Sequence, residues 1–420
     1  MGDILGRILG PALAAAAMIL CGARASAETI TLQQAIDRAL RVAPSIAVAA
    51  ATSDLSAARV REQRAPLYPS VSAGTEYYQA PGYNQIVTNR GLSAGMLMMD
   101  YTAFDFGRRL ARMHAAQYAR EASMLGVSAA RAQIVFDTKS VYFDLLRSRH
   151  AVNELQSNLL RLRRYVATVE ALQQSGHAIT NDVLKIQSAR DTGEFALAAE
   201  RSNAARASVA LGSMFGEFDH ADLQVAELGP LPAKPSGDIA QSPVLQAAQR
   251  AISAATLQVN AAMTERLPTF QTALTAGFLG IDPPQTVNHN GGASYDMVIS
   301  MPVFDGGLTS SHIDQAKARE HSALAQARDA EYLLARRIAD ASLRYDHARE
   351  ALDILARSQP TADDSFALTW TRFLGGGDTT VLEVVDAYQQ AEQLRLQRID
   401  QEFAARQAAA EVILICGGIE

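Results

Sequence analysis

The stretch Tyr295–Leu308, YDMVISMPVFDGGL, decides how the rest of the chain is read. Laid out as extended backbone, Tyr295, Met297, Ile299, Met301 and Val303 fall on one side. Ser294, Asp296, Val298 and Ser300 fall on the other. Such alternation of apolar with small or polar residues describes a strand lying between two unlike media. Pro302 and Gly306-Gly307 end the ladder, and a long helical pattern follows. The same junction occurs 200 residues earlier, where Phe104-Asp105-Phe106-Gly107 matches Phe304-Asp305-Gly306-Gly307. Pro44 and Pro243, and Pro69 and Pro268, pair at an offset of 199. A unit of this length is too long for a solenoid, so two copies indicate duplication within one body.

The first copy, 28–213, opens with a helical pattern over 30–63 that Thr31 caps and Pro44 interrupts. Pro66 and Pro69 close it. A strand over 71–78 alternates Val71, Ala73, Thr75 and Tyr77 with Ser72, Gly74, Glu76 and Tyr78. Pro81-Gly82-Tyr83-Asn84 marks a loop, and Leu92–Tyr101 reads as a second strand, its alternation blurred by Met96-Leu97-Met98-Met99. From Arg108 to Gln174 there is no proline and one glycine, Gly126. Val152, Leu155, Leu159, Leu162, Val166 and Val169 keep the spacing of a coiled-coil seam. A helix of that extent is a rod of roughly 100 Å, which no single compact core contains. Ser175-Gly176-His177 turns the chain, and Asn181 or Asp182 opens a helix returning to about Leu211.

Residues 214–242, with Gly216, Gly229, Pro230, Pro232, Pro235 and Gly237, read as a linker holding at most one short element. The second copy, 243–413, repeats the plan. Phe270, Leu274, Ala276 and Phe278 make a third strand. Asp282-Pro283-Pro284 through Gly291-Gly292 makes a loop, and Tyr295–Val303 a fourth strand. A second rod follows, with Ile338, Ala341, Tyr345, Ala348, Leu352 and Leu355 on its seam. Gly375-Gly376-Gly377 turns the chain, and a helix returns from Val381 to about Ile413, leaving 414–420 as a tail. Pro360 lies inside the second rod, where a proline removes a backbone donor; a bend is expected there, with Thr361 capping a restarted segment.

Composition narrows the possible roles. The net charge is −6 and the basic residues are interspersed with acidic ones, which excludes a nucleic-acid surface. Residues 1–27 read as a signal peptide: Arg7, an apolar run from Ile8 to Leu20, and Ala25-Ser26-Ala27 as the cleavage site. Cys21 offers a lipoprotein alternative, disfavoured because Leu20 is large for the position before a lipidated cysteine. Cleavage leaves Cys416 as the one thiol, so no internal disulfide forms. The mature sequence has no apolar run long enough for a transmembrane helix, so any membrane crossing must use strands. Four strands per chain do not close a barrel; about eight are needed even for a filled one. Several chains must pool their strands, and three would supply twelve.

The twin Phe-Asp-x-Gly junctions, the Pro69 and Pro268 helix-to-strand junctions, and the glycine turns followed by Asp182-Val183-Leu184 and Val381–Ala387 occur twice in the same order. On these the chain resembles the TolC-type outer-membrane channel family of Gram-negative bacteria across essentially its whole mature length. The resemblance implies an α+β membrane protein: a homotrimer whose twelve-stranded β-barrel is continuous with a tunnel of long coiled-coil helices, with 214–242 and the tail in a belt around it. It implies an outer-membrane exit duct reaching into the periplasm. Its partners are outer-membrane lipid, a periplasmic adaptor and an inner-membrane transporter, for drug efflux or type I secretion. An adaptor protein with a coiled-coil hairpin is the alternative, disfavoured by the two strand pairs.

A passive conduit needs no catalytic chemistry, and no nucleophile elbow, phosphate loop or paired-cysteine site appears. His114, His177 and His312 lack a second ligand at metal spacing, so neither metal nor cofactor is expected. Glu383 and Asp386 lie three apart after the second glycine turn, hence on one helix face. The bland reading of such a pair is a solvated surface; the resemblance makes it a carboxylate ring at the periplasmic mouth. By the same resemblance Asp182 helps latch the closed mouth, and Thr379 replaces the family's arginine partner. Gly107, Gly176, Gly306, Gly307 and Gly376 are structural, allowing tight turns and strand-to-helix junctions.

Overall fold

The computed structural model describes residues 29–78, 92–218, 223–281, 291–376 and 378–418. The signal segment with Cys21, the Pro81–Asn84 loop and Asp282-Pro283-Pro284 lie outside the described residues. Helix α1, Leu32–Val42, begins with a capping box in which Thr31 and Gln34 bond each other's backbone N–H. Pro44, which lacks the N–H a continuing helix needs, starts α2, Pro44–Arg64. A 3-10 turn, Ala65–Leu67, leads into β1, Ser70–Tyr78, and β2, Leu92–Phe104. Helix α3, Arg108–Gln174, and α4, Thr180–Met214, form the first hairpin. The second copy supplies α5, Pro243–Met263, β3, Thr269–Ile281, β4, Gly291–Ser300, α6, Leu308–Leu374, and α7, Val381–Ile415.

Several boundaries differ from the sequence reading. Strand β4 starts at Gly291 and stops at Ser300, so Gly291-Gly292 is ladder rather than loop, and Met301 and Val303 lie beyond it. Gly277 and Phe278 of β3 pair with Gly292 and Gly291, which extends the ladder at that end; Pro302 cannot donate to it at the other. Helix α4 begins one residue before Asn181, without a side chain of its own at the cap. The second rod does not restart at Pro360. Helix α6 runs unbroken through it, and Thr361 is an interior residue whose hydroxyl donates to the Arg357 carbonyl.

The strands form one antiparallel sheet in the order β1-β2-β3-β4. Among the described residues β1 and β4 are its free edges. The register sorts the side chains that sequence alternation left mixed. Val71, Met99, Leu274 and Tyr295 line up across the four strands, as do Ala73, Leu97, Ala276 and Ala293 two residues along. Met297 and Ile299 continue that face. Asp100, Ala273 and Asp296 line up on the opposite face, with Ser72, Gly74 and Glu76. Among the described residues nothing covers the apolar face: Val71, Tyr77, Leu97, Tyr295, Met297 and Ile299 are all more than half exposed.

Gly95 opens the surface for the Phe278 ring, since a Cβ there would stand 2.4 Å from Cζ. At the strand-to-helix junctions Gly107, Gly306 and Gly307 adopt φ of +81°, +63° and +89°. Phe106 takes +53°, the one non-glycine with positive φ among the described residues. The two aspartates do the capping: Asp105 Oδ2 accepts from Arg109 N–H at 3.0 Å, and Asp305 Oδ2 from Thr309 N–H at 2.8 Å.

The chain folds as two compact units, each assembled from both sequence copies. One holds the described residues within 44–133, 236–340 and 412–418, including the sheet. The other holds the described residues within 29–43, 134–235 and 341–411. In the latter the seam residues Leu155, Leu159, Leu162, Val166 and Val169 are buried, as are Ala341, Tyr345, Ala348 and Leu355. The linker is tied there by one parallel bridge, Ile30 to Val225, and the buried Tyr142 hydroxyl donates between the carbonyls of Ala226 (2.7 Å) and Ile30 (3.1 Å). Within the linker a 3-10 turn, Ile239–Gln241, is the short element.

Candidate gating site

Both helical hairpins turn on a glycine in the left-handed region, Gly176 at φ +79° and Gly376 at +71°. After Gly176 the His177 N–H returns to the Leu172 carbonyl at 2.8 Å, which satisfies the end of α3. Each returning helix then opens with a carboxylate that reaches back. Asp182 Oδ2 accepts from Ile179 N–H at 3.2 Å. Glu383 Oε2 accepts from Thr380 N–H at 3.1 Å, while Thr380 Oγ1 accepts from Glu383 N–H at 3.3 Å. Glu383 thus completes a capping box that Thr380-x-x-Glu383 spells out and the sequence reading misses.

The core beneath fixes which way these residues face. Val381, Val385 and Tyr388 are buried, packing with Val183, Ile186, Leu162 and Val169, and Val384 is buried beside them in sequence. Glu383 and Asp386 are left on the exposed side of α7, and Thr379 is half-buried in the turn. Among the described residues no ion pair or hydrogen bond joins Asp182 to Thr379, Glu383 or Asp386; Asp182 is held within its own turn. Trp370 lies in this core against Tyr165, with ring centroids 4.5 Å apart, and Phe366 and Phe373 pack with them. His312 Nδ1 lies 2.9 Å from Glu265, an ion-pair position that sequence spacing does not reveal.

A second polar cluster lies farther along α7. Glu392 follows Val381, Val385 and Tyr388 in 4-3-4 spacing, so it occupies a seam position that sequence reasoning reserves for apolar residues. Both its carboxylate oxygens are buried and neither accepts a hydrogen bond; the Asn158 Nδ2 beside it is also buried without a partner. The neighbouring cations are committed elsewhere. Arg161 bonds Glu154 at 3.2 Å, and Arg395 pairs with Asp363 and approaches Glu154 at 3.6 Å. The Tyr388 hydroxyl donates to the Asn158 carbonyl at 3.2 Å. Burial, reinforced by the charge on Glu154, pushes the Glu392 carboxyl up to about 7; Arg161, Arg395 and Tyr388 oppose the shift without cancelling it. A cavity of about 340 Å³ opens beside Glu392, lined also by Leu155, Leu162, Gly193 and Leu396.

The family model described as outer membrane efflux protein matches residues 35–217 and 236–418. Protein CyaE of Bordetella pertussis is 27% identical over 321 residues, which cover 72% of this chain and 66% of CyaE. Outer membrane efflux protein BepC of Brucella suis is 24% identical over 187 residues, 44% of this chain and 41% of BepC. The chain therefore spans just under two thirds of the first of these relatives and less of the second. A solved structure of CusC superposes with a TM-score of 0.86 at 17% identity, covering 92% of both chains. At that identity the likeness speaks for the fold alone.

Proposed function

The chain belongs to the outer membrane efflux protein family, and from that premise we propose that it is one third of a passive outer-membrane duct, open to the periplasm at the hairpin turns. The observation that carries this is the sheet: four strands with two free edges, one face apolar and uncovered, the other carrying Asp100, Asp296 and Glu76. Free edges are untenable in lipid, where each unpaired backbone group costs several kcal/mol. Pairing β4 of one copy with β1 of the next removes them, and three copies close a barrel of twelve strands. The apolar face then meets lipid and the acidic face lines the water-filled bore.

The helical hairpins continue the conduit into the periplasm, where a periplasmic adaptor and an inner-membrane transporter supply cargo and energy, in an efflux pump or a type I secretion system. Glu383 and Asp386 ring the periplasmic mouth, and Asp182 and Thr379 belong to the turns that shape it. An adaptor has no use for an uncovered apolar sheet, which weighs against that alternative. The test is fractionation with outer-membrane vesicles, a heat-modifiable trimer in detergent, and conductance in planar bilayers. A stable detergent monomer that conducts no ions after reconstitution overturns the reading.

A further inference from the structure

We propose that Glu392 is a proton-operated latch between the two helical hairpins: neutral, it lets α7 pack against α3; ionised, it loosens that contact. The proposal takes its consequence for gating from the duct reading above, but its chemistry stands on the cluster itself. The carboxylate is on α7 at a seam position, with both oxygens out of contact with water and without a hydrogen-bond donor. A charge so placed has lost its hydration, and the attraction of Arg161 and Arg395 does not make up the loss.

Groups from four helices, its own included, bear on this carboxylate. From α3 come Glu154, which repels an ionised Glu392, and Arg161, already bonded to Glu154. From α6 comes Asp363, which holds the guanidinium of Arg395 on α7. The Tyr388 hydroxyl, also on α7, donates its hydrogen bond to the Asn158 carbonyl. Helix α4 presents Ala189, Thr192, Gly193 and Ala196, none of them titratable. Asn158, whose Nδ2 is buried without an acceptor, lines the same cavity. The cations are thus bound to other carboxylates, and the cheapest state of the cluster is the one with a proton on Glu392.

The sign follows from linkage. A carboxyl whose folded pKa is raised contributes stability that is complete below its unfolded pKa, and that stability is lost as pH rises to the folded value. The window runs from about 4.5 to about 7. Because the cluster joins α3 of the first hairpin to α6 and α7 of the second, the loss falls on the packing between the hairpins. On the duct reading the periplasmic mouth opens more readily towards neutral pH and closes in acid.

The experiment uses the full-length protein in detergent and in planar bilayers, as wild type, Glu392→Gln and Glu154→Gln, between about pH 5 and 8. The wild-type Tm falls as pH rises through this range. Glu392→Gln, a neutral isostere, holds its pH 5 Tm across it, and Glu154→Gln moves the midpoint of the fall to lower pH. Open probability follows the same profiles: rising with pH in the wild type, flat in Glu392→Gln. A Glu392→Gln melt that tracks the wild type, or a Glu154→Gln midpoint that stays put, overturns the latch. Absence of conductance from all three proteins at every pH overturns the duct instead, and the melts still decide the latch.

Discussion

Glu383 has two duties on this reading, and a pair of substitutions separates them. Its carboxylate caps the start of α7 through Thr380 N–H, and it stands with Asp386 at the mouth. Glutamine at the same place still accepts from the Thr380 N–H, so Glu383→Gln removes the charge and keeps the cap. Glu383→Ala removes both, and losing the cap contribution costs about 1 kcal/mol at each α7 N-terminus. The electrostatic magnitude is larger. An ion passing about 4 Å from one carboxylate in bulk-like water gains or loses about 1 kcal/mol. Cations and anions then differ by about 2 kcal/mol per close approach, which screening at physiological salt reduces to an effect of about tenfold in permeability ratio. Reversal potentials across planar bilayers under a KCl gradient measure the ratio directly. Glu383→Gln lowers the cation preference and leaves Tm unchanged. Glu383→Ala lowers the preference equally and also lowers Tm. Glu383→Gln with Asp386→Asn removes most of the preference, about tenfold. A double variant with the wild-type permeability ratio refutes the mouth assignment, and a Glu383→Ala protein as stable as Glu383→Gln refutes the capping argument.

Three further outcomes are expected. At the first strand-to-helix junction Phe106 holds a positive φ that costs about 1–2 kcal/mol, offset by its edge contact with Phe104 at 4.7 Å, worth about 0.5–1.5 kcal/mol. Phe106→Gly therefore changes stability by less than about 1 kcal/mol, whereas Phe106→Ala, which keeps the strain and loses the ring, is destabilised by more; equilibrium unfolding distinguishes them. Gly95→Ala drives a methyl into the Phe278 ring and weakens the heat-modifiable trimer band by about 1–3 kcal/mol, and adding Phe278→Ala restores the band. Tyr142→Phe takes the hydroxyl donor from the Ala226 carbonyl, while the Ile30 carbonyl keeps the Ala226 N–H, and costs about 1–2 kcal/mol in thermal unfolding. Burial pushes the Tyr142 hydroxyl up to about 12, so the wild type loses stability as pH rises from about 10 towards 12, a loss that Tyr142→Phe lacks.

What the sequence made legible depended on whether the physical signal was local. The limits of α3, Arg108–Gln174, were readable because its boundaries are a glycine junction and a glycine turn, with no proline between. The Thr31 cap was readable because a threonine just ahead of an apolar-periodic run is itself the signal; the Gln34 half of the box came only with the structure. The two faces of the sheet were only half readable. Met96-Leu97-Met98-Met99 has no alternation of its own, and it took pairing with Ala276 and Leu274 on one face, and with Gly277 and Thr275 on the other, to divide it. The end of β4 was hidden for a related reason: Met301 and Val303 keep the apolar period, but β3 has no partner to offer them beyond Thr269.

Pro360 shows the limit of a local rule applied inside a long rod. One missing donor does not outweigh the intact turns on either side of it, and α6 continues. Glu392 shows the opposite limit. Its seam position was visible in the spacing from Val381 through Tyr388, yet the consequence was not, because it depends on where Arg161 and Arg395 spend their charge. Those commitments, to Glu154 on α3 and Asp363 on α6, exist only once two hairpins from different halves of the chain are packed together. A buried carboxylate on a sequence seam is therefore a question that only the partners of its nearest cations answer.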